Sequence, residues 1–126
     1  MSWTEFRARR QVLEDVLSRV EADPTVVRRL AEIPGARELF GSSDEILLAL
    51  QQRWSGHLAA LLDQAVEEGT APRDAWLRLA EEQPALRAAL DAGATVSAAL
   101  RREQRTEQEM ADAHMTGRAT KRVTVG

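Results

Sequence analysis

The 126-residue chain contains no cysteine, tyrosine or asparagine, and three Trp and two Phe make up its whole aromatic complement. Without cysteine there is no disulfide scaffold, no thiol nucleophile, no thiolate metal site and no iron–sulfur cluster. Glycine and proline are also sparse. The seven Gly and four Pro stand singly, which excludes a collagenous chain and any Gly-rich loop with phosphate-cradling spacing. The longest apolar runs, Ile46–Leu50 and Leu58–Leu62, have five residues each, against roughly 20 for a membrane-crossing helix. Met1 to Arg10 already carries Glu5, Arg7, Arg9 and Arg10, so no basic start leads into an apolar leader, and a cytoplasmic protein without a membrane partner is expected.

The residues that are present favour helices. Twenty-one Ala and fifteen Leu give strands little to work with, and sixteen of the seventeen basic residues are Arg. The net charge of −3 makes no global case for nucleic acid or an anionic surface. Its distribution is uneven. Residues 1–30 carry six Arg against five acids, residues 31–100 five Arg against eleven, and residues 101–126 six bases against four. An acidic middle between nearly balanced ends reads as a solvated helical surface.

Punctuation along the chain is that of successive helices. Ser2-Trp3-Thr4-Glu5 has capping-box spacing. Trp3, Phe6, Leu13, Val16, Leu17 and Val20 then recur on one side, predicting an amphipathic helix of about five turns. Asp23-Pro24 ends it and opens a second helix with Val26, Val27, Leu30 and Ile33 inside, which stops at Pro34-Gly35. A short piece, Ala36 to Phe40, is broken by Gly41. Ser42-Ser43-Asp44-Glu45 repeats the capping box before the longest stripe, Ile46, Leu47, Leu50, Trp54, Leu58, Leu61, Leu62, Ala65 and Val66, running to Gly69. At some 25 residues it spans roughly 37 Å and is the expected central spine. Pro72 opens a helix with Ala75, Trp76 and Leu79, and Pro84 opens another that Gly93 closes. A last helix from Thr95 places Val96, Ala99, Leu100 and Met110 inward, and is polar almost all round from Arg101 to Glu109. The expected fold is therefore all-α: an orthogonal bundle of five to seven helices around one long helix. Its helical domain is 1–115, and residues 116–126 form a disordered basic tail.

Catalytic chemistry finds little to work with. His57, at the edge of the long stripe, reads as a boundary or core residue. His114, Asp112 and Glu109 near a fraying helix end do not make a closed metal site, and no His-Glu-x-x-His occurs. Ser55, in Trp-Ser-Gly-His, lacks the spacing and context of a nucleophile elbow. Carboxylate pairs at 67–68 and 81–82 sit at helix ends, where solvation accounts for them. No enzyme, cofactor or metal is expected. Trp3, Trp54 and Trp76 all fall on apolar stripes and are expected in the core. Gly56, in mid-helix, predicts close approach of another helix, within the chain or in a homodimer.

One stretch, Leu39-Phe40-Gly41-Ser42-Ser43-Asp44-Glu45-Ile46-Leu47-Leu48-Ala49-Leu50, resembles tetracycline-repressor-type regulators where the recognition helix gives way to helix four. Phe40, Ser42, Glu45, Ile46 and Leu47 match the family's Tyr-x-x-Phe-x-Ser-Lys-Glu-Glu-Leu-Leu in register, and Arg53, Trp54 and Leu58 to Val66 continue as its long fourth helix does. The likeness covers about thirty residues. It implies a helical fold like a shortened regulator. The pattern's phosphate-contacting Tyr and Lys are Arg37 and Ser43 here, about eight residues are missing between Val12 and Phe40, and Pro34-Gly35 interrupts the segment matching the recognition helix. The opening Met-Ser-Trp-Thr-Glu-Phe-Arg and the Ala/Arg bias are also similar to small actinobacterial proteins, a likeness that implies no activity.

These readings lead to a non-enzymatic helical interaction or regulatory protein with an unidentified protein partner. Its tail, Lys121-Arg122-Val123-Thr124-Val125, is suited to adding as a strand to a partner. The alternative is a DNA-binding regulator with an eroded helix-turn-helix. Possible partner or nucleic-acid contacts are Arg28, Arg29, Arg37, Arg118, Lys121 and Arg122. A third reading makes His57 the lining of a ligand pocket between Trp54 and Leu61.

Overall fold

The computed structural model describes the backbone of residues 2–125 and the side chains of residues 2–113. It is an all-α bundle. Its helices are α1 (Trp3–Ala22), α2 (Ala36–Phe40), α3 (Ser43–Glu68), α4 (Pro72–Glu82), α5 (Pro84–Ala94) and α6 (Ala98–Val125), with 3-10 turns at Pro24–Arg28 and Leu30–Glu32 between α1 and α2.

Helix starts follow the local chemistry of the sequence. Ser2 Oγ accepts from the Glu5 amide at 3.1 Å, and Ser42 Oγ accepts from the Glu45 amide at 3.2 Å. Each satisfies a donor that the first helical turn leaves free. Helices α4 and α5 begin on Pro72 and Pro84, whose fixed φ and missing N–H suit a first helical position. At the end of α3, Gly69 takes φ 71°, a left-handed conformation that costs glycine nothing.

The segment 24–33 is not the single α-helix that its apolar spacing predicts, but two short 3-10 turns. The interval is bounded by prolines, and Pro34 holds Ile33 extended at φ −64°, ψ 134°. The adjacent β-branched Val26 and Val27 further disfavour helix. The turns still bury three of the four residues the pattern assigned inward, since Val27, Leu30 and Ile33 are in the core and Val26 is half-buried against it. Ser43 Oγ accepts from the Ala31 amide at 3.2 Å and ties this segment to the start of α3.

Ile46, Leu47, Leu50 and Trp54 of α3, Val16 and Val20 of α1, Leu79 of α4 and Leu100 of α6 meet in one core. The most enclosed helix is the short α5. It packs against α1, the first 3-10 turn, α3, α4 and α6, with Leu86, Ala89 and Leu90 fully buried. Gly93 is what lets the helices close around it. A Cβ there would lie 2.7 Å from Leu47 Cδ2. Within the chain no helix makes the close approach expected at Gly56, because a Cβ at that position would have no neighbour within 4 Å.

Other inward assignments fail, some at the ends of elements and some within them. Trp3 is 67 % exposed, and Phe6, Val66, Trp76, Val96 and Met110 also face solvent. Periodicity places a residue on a face, but burial also requires that another element cover that part of the face. Among the described residues no other element covers Trp3 at the start of α1 or Val66 near the end of α3.

Helix α6 continues to Val125, across residues 116–126 that the sequence assigns to a basic tail. Extending a formed helix needs no new nucleus, so a weakly helical sequence can follow an established one. The side chains of Arg118, Lys121 and Arg122, and the strand-forming role expected of that strip, lie outside the described residues. The described part of α6 is held by polar groups. Buried Ser97 donates to Asp44 at 2.7 Å and accepts from the Leu100 amide at 3.1 Å. Three turns on, Glu107 accepts from buried Gln51 at 2.7 Å and from Ser55 at 2.9 Å, and Gln104 donates to Gln51 at 3.2 Å. No helix among the described residues is long and apolar enough to cross a membrane.

Candidate functional site

The first buried residue of α1 is Val12, so its opening turns extend past the core and lie beside α3 without closing on it. The result is an open groove of about 720 Å³ between the two helices. Phe6, Arg10 and Leu13 form one wall, Ala49, Gln52 and His57 of α3 form the other, and Phe40 at the end of α2 closes it off. Gly56 is exposed and does not itself line the groove, but it follows Gln52 by one turn and Ala49 by two, on the row of α3 that Ala49, Gln52 and Arg53 present to it.

Two contacts fix its shape. Arg9 donates to the Leu39 carbonyl at 2.7 Å, and its guanidinium lies 4.3 Å from the centre of the Phe40 ring. This joins α1 to α2 through a charge-assisted bond and a cation–π contact. Arg53 of α3 reaches Glu14 of α1 at 2.9 Å, bridging the helices on the other side of the opening. Arg53 is the less exposed of the two, at 23 % against 52 % for Glu14.

Beyond the groove, Trp3 stacks on Phe6 with ring centres 5.5 Å apart and planes 15° from parallel. Arg7 lies 5.4 Å from the Trp3 ring centre. The end of α1 thus carries exposed aromatic surface interleaved with guanidinium groups. Counting Arg9, Arg10, Arg53 and Glu14, and leaving His57 neutral, the groove has an excess of two positive charges. A shallower depression continues past Ala49 to Glu45 and Glu103, where the surface turns acidic.

The other tryptophans are engaged differently. Trp54 is buried and meets Trp76 edge-on, with ring centres 5.7 Å apart. Arg87 covers both, 4.5 Å from the Trp54 ring centre and 5.5 Å from that of Trp76, while it pairs with Asp91 at 2.8 Å. This pair already holds a cation of the chain itself. Trp54 and Leu58 line a small recess towards α6, whereas His57 faces the α1 groove. The proposed pocket that combined His57 with Trp54 and Leu61 is therefore not formed.

Of the cations the sequence singles out, Arg28, Arg29 and Arg37 are exposed and make no ion pair among the described residues. The structure does not place them on paired helices. Arg28 and Arg29 end a 3-10 turn, and Arg37 lies in the five-residue α2, which is shorter than a helix that reads a major groove. Ser43, at the position of the pattern's phosphate-contacting Lys, uses its hydroxyl on the Ala31 amide. Asp23 accepts from the Thr25 hydroxyl at 2.7 Å and from the Thr25 amide at 3.1 Å. Those bonds, the hydroxyl first, hold its carboxyl below the usual carboxylate range. Among the described residues no three His, Asp or Glu side chains are grouped so as to hold a metal ion.

Sequence reasoning missed Arg9, Arg10 and Phe40 as a group, because α1 and α2 meet α3 only in the fold. A signal was present in Trp3-Thr4-Glu5-Phe6-Arg7-Ala8-Arg9-Arg10, where two aromatic residues are followed by three arginines ahead of the first aliphatic core position. Comparison with family models, with curated proteins and with solved structures found no match for the chain.

Proposed function

We propose that the protein is a non-enzymatic helical interaction module, regulatory through the partner it holds, and that the groove between α1 and α3 is its docking face. The observation that carries this reading is the uncovered aromatic surface that runs from the mouth of the groove to the end of α1. Trp3 is 67 % exposed and Phe6 48 % exposed, with Arg7 and Arg10 beside them. Tryptophan and arginine are the residues most enriched among those that dominate interface energies, and adjacent exposed aromatics leave apolar area that a partner would remove from water.

The test is site-specific photo-crosslinking in cells. A crosslinking residue at Gln52 is expected to capture a discrete protein, and Phe6→Ala with Arg10→Glu should abolish the adduct. The same residue at Glu67, outside the groove, should not capture it. Absence of an adduct at Gln52, or equal adducts at both positions, would refute the docking face.

A nucleic-acid reading draws its support from the three exposed, unpaired arginines 28, 29 and 37 and from the repressor-like stretch at 39–50. It predicts duplex binding that weakens steeply as salt rises. The absence of any mobility shift at low salt would end it.

A further inference from the structure

The occupant of the groove can be specified from the helix surface beside it and from its charge, given the docking reading above. Gly56 lies inside a helix, where glycine is less stable than alanine by about 1 kcal/mol. Within the chain nothing accounts for it: its φ is not in the left-handed range, and a Cβ would meet no atom within 4 Å. A glycine on a helix surface leaves room for another helix to come close, as Gly93 leaves room for the Leu47 and Leu100 side chains in the core. The wall opposite presents Phe6 and Leu13, with the uncommitted guanidinium of Arg10 between them. The stretch from Ala49 to His57 extends for about 12 Å at 1.5 Å per residue, room for about two turns of a helix lying along α3 or for the width of one crossing it.

From this glycine beside the groove and this charge we infer that the groove receives an acidic amphipathic helix from a partner protein. Its apolar side rests on Phe6, Leu13 and Ala49, its backbone passes over Gly56, and its carboxylates face Arg10. The excess of positive charge selects against a basic helix. It also disfavours the chain's own last segment, whose residues 114–126 include Arg118, Lys121 and Arg122 and no acid.

The test uses the full chain and a fluorescein-labelled 14-residue helical peptide with Leu at positions i, i+3, i+4 and i+7 and Glu on its polar face. A second peptide carries Lys in place of every Glu. Fluorescence anisotropy is expected to show the acidic peptide binding at least tenfold more tightly than the basic one. Phe6→Ala and Arg10→Glu should each weaken it about tenfold. Gly56→Leu is the decisive variant, because it adds a side chain where the fold has space. It should melt no lower than the parent and yet lose binding at least tenfold.

Equal affinity for both peptides would overturn the charge argument, and undiminished binding by Gly56→Leu would overturn the close approach. A dimer in sedimentation equilibrium that Gly56→Leu dissociates would assign the face to a second copy instead. Loss of the acidic-helix result while the Gln52 crosslink persists overturns the occupant alone. Loss of both overturns the docking face as well.

Discussion

Gly93 and Gly56 are both helical glycines, and replacing each by alanine should move stability in opposite directions. At Gly93 the new methyl would lie 2.7 Å from Leu47 Cδ2, 3.1 Å from Leu47 Cδ1 and 3.2 Å from Leu100 Cδ2. Leu47 and Leu100 are 1 % and 0 % exposed, so neither can swing into solvent to make room. Overpacking of this kind costs about 1–3 kcal/mol. The helix-propensity gain, at most about 1 kcal/mol and smaller in a last turn, offsets part of it. The expected net loss is about 1–2 kcal/mol, or roughly 4–8 °C in the thermal midpoint of a domain this size. Gly56→Ala has the propensity gain without the clash and should stabilise by up to about 1 kcal/mol. Urea unfolding followed by circular dichroism measures both. A double-mutant cycle isolates the cause: with Leu47→Ala in place, Gly93→Ala should cost at least about 1 kcal/mol less than it does alone. Strict additivity, or a Gly93→Ala variant as stable as the parent, would refute the packing argument.

Two further outcomes follow from hydrogen bonds at either end of the molecule. Glu107→Ala removes the acceptor for buried Gln51 and for Ser55 and should cost about 1–3 kcal/mol for the amide left unpaired; hydrogen exchange should rise in residues 104–113 before it rises in α1 to α5. Uniform acceleration through the whole chain would show that α6 is not held separately by this cluster. Asp23, whose carboxyl is held below its usual range chiefly by the Thr25 hydroxyl, titrates lower in the folded than in the unfolded chain. Its contribution to stability is therefore complete above the unfolded pKa of about 3.9 and is lost as pH falls through the lower folded value. Thr25→Val should remove part of that acid-side dependence, and an unchanged pH–stability profile would refute the assignment.

Much of the fold was legible because helix starts and stops are local. Ser2, Ser42, Pro72, Pro84 and Gly69 act on residues within one turn, and the helices begin or end beside them. The errors came where an outcome depended on a distant neighbour. Trp3 and Trp54 look alike in the pattern, yet Trp54 is buried with Arg87 over its ring while Trp3 projects past the body. Gly56 and Gly93 look alike too, and only the fold shows that Leu47 and Leu100 crowd the second. Segment 24–33 failed for a different reason. Its apolar spacing suits an α-helix, but Pro34 and the paired valines set the backbone, and the 3-10 turns bury most of the same side chains by another route.

The polar first half of α6 shows how one sequence feature can carry opposite meanings. A helix without an apolar stripe suggests an element that stands away from its domain. Here, however, the seam between α3 and α6 is itself polar: Ser97 meets Asp44, and Glu107 meets Gln51 and Ser55. Each pair joins residues more than fifty positions apart, so no window along the chain contains both partners, and a periodicity that counts only apolar residues cannot register the contact. For the same reason α6 does not supply the argument for a partner. That argument comes from α1, where Trp3 and Phe6 stack on each other and Arg7 lies over Trp3, yet no other element covers them. Polar residues exposed on a helix are solvated at no cost, whereas exposed aromatic area retains the free energy that burial would release, about 25 cal/mol per Å². Among the described residues, the uncovered end of α1, more than the polar part of α6, is where interactions are left incomplete within the chain.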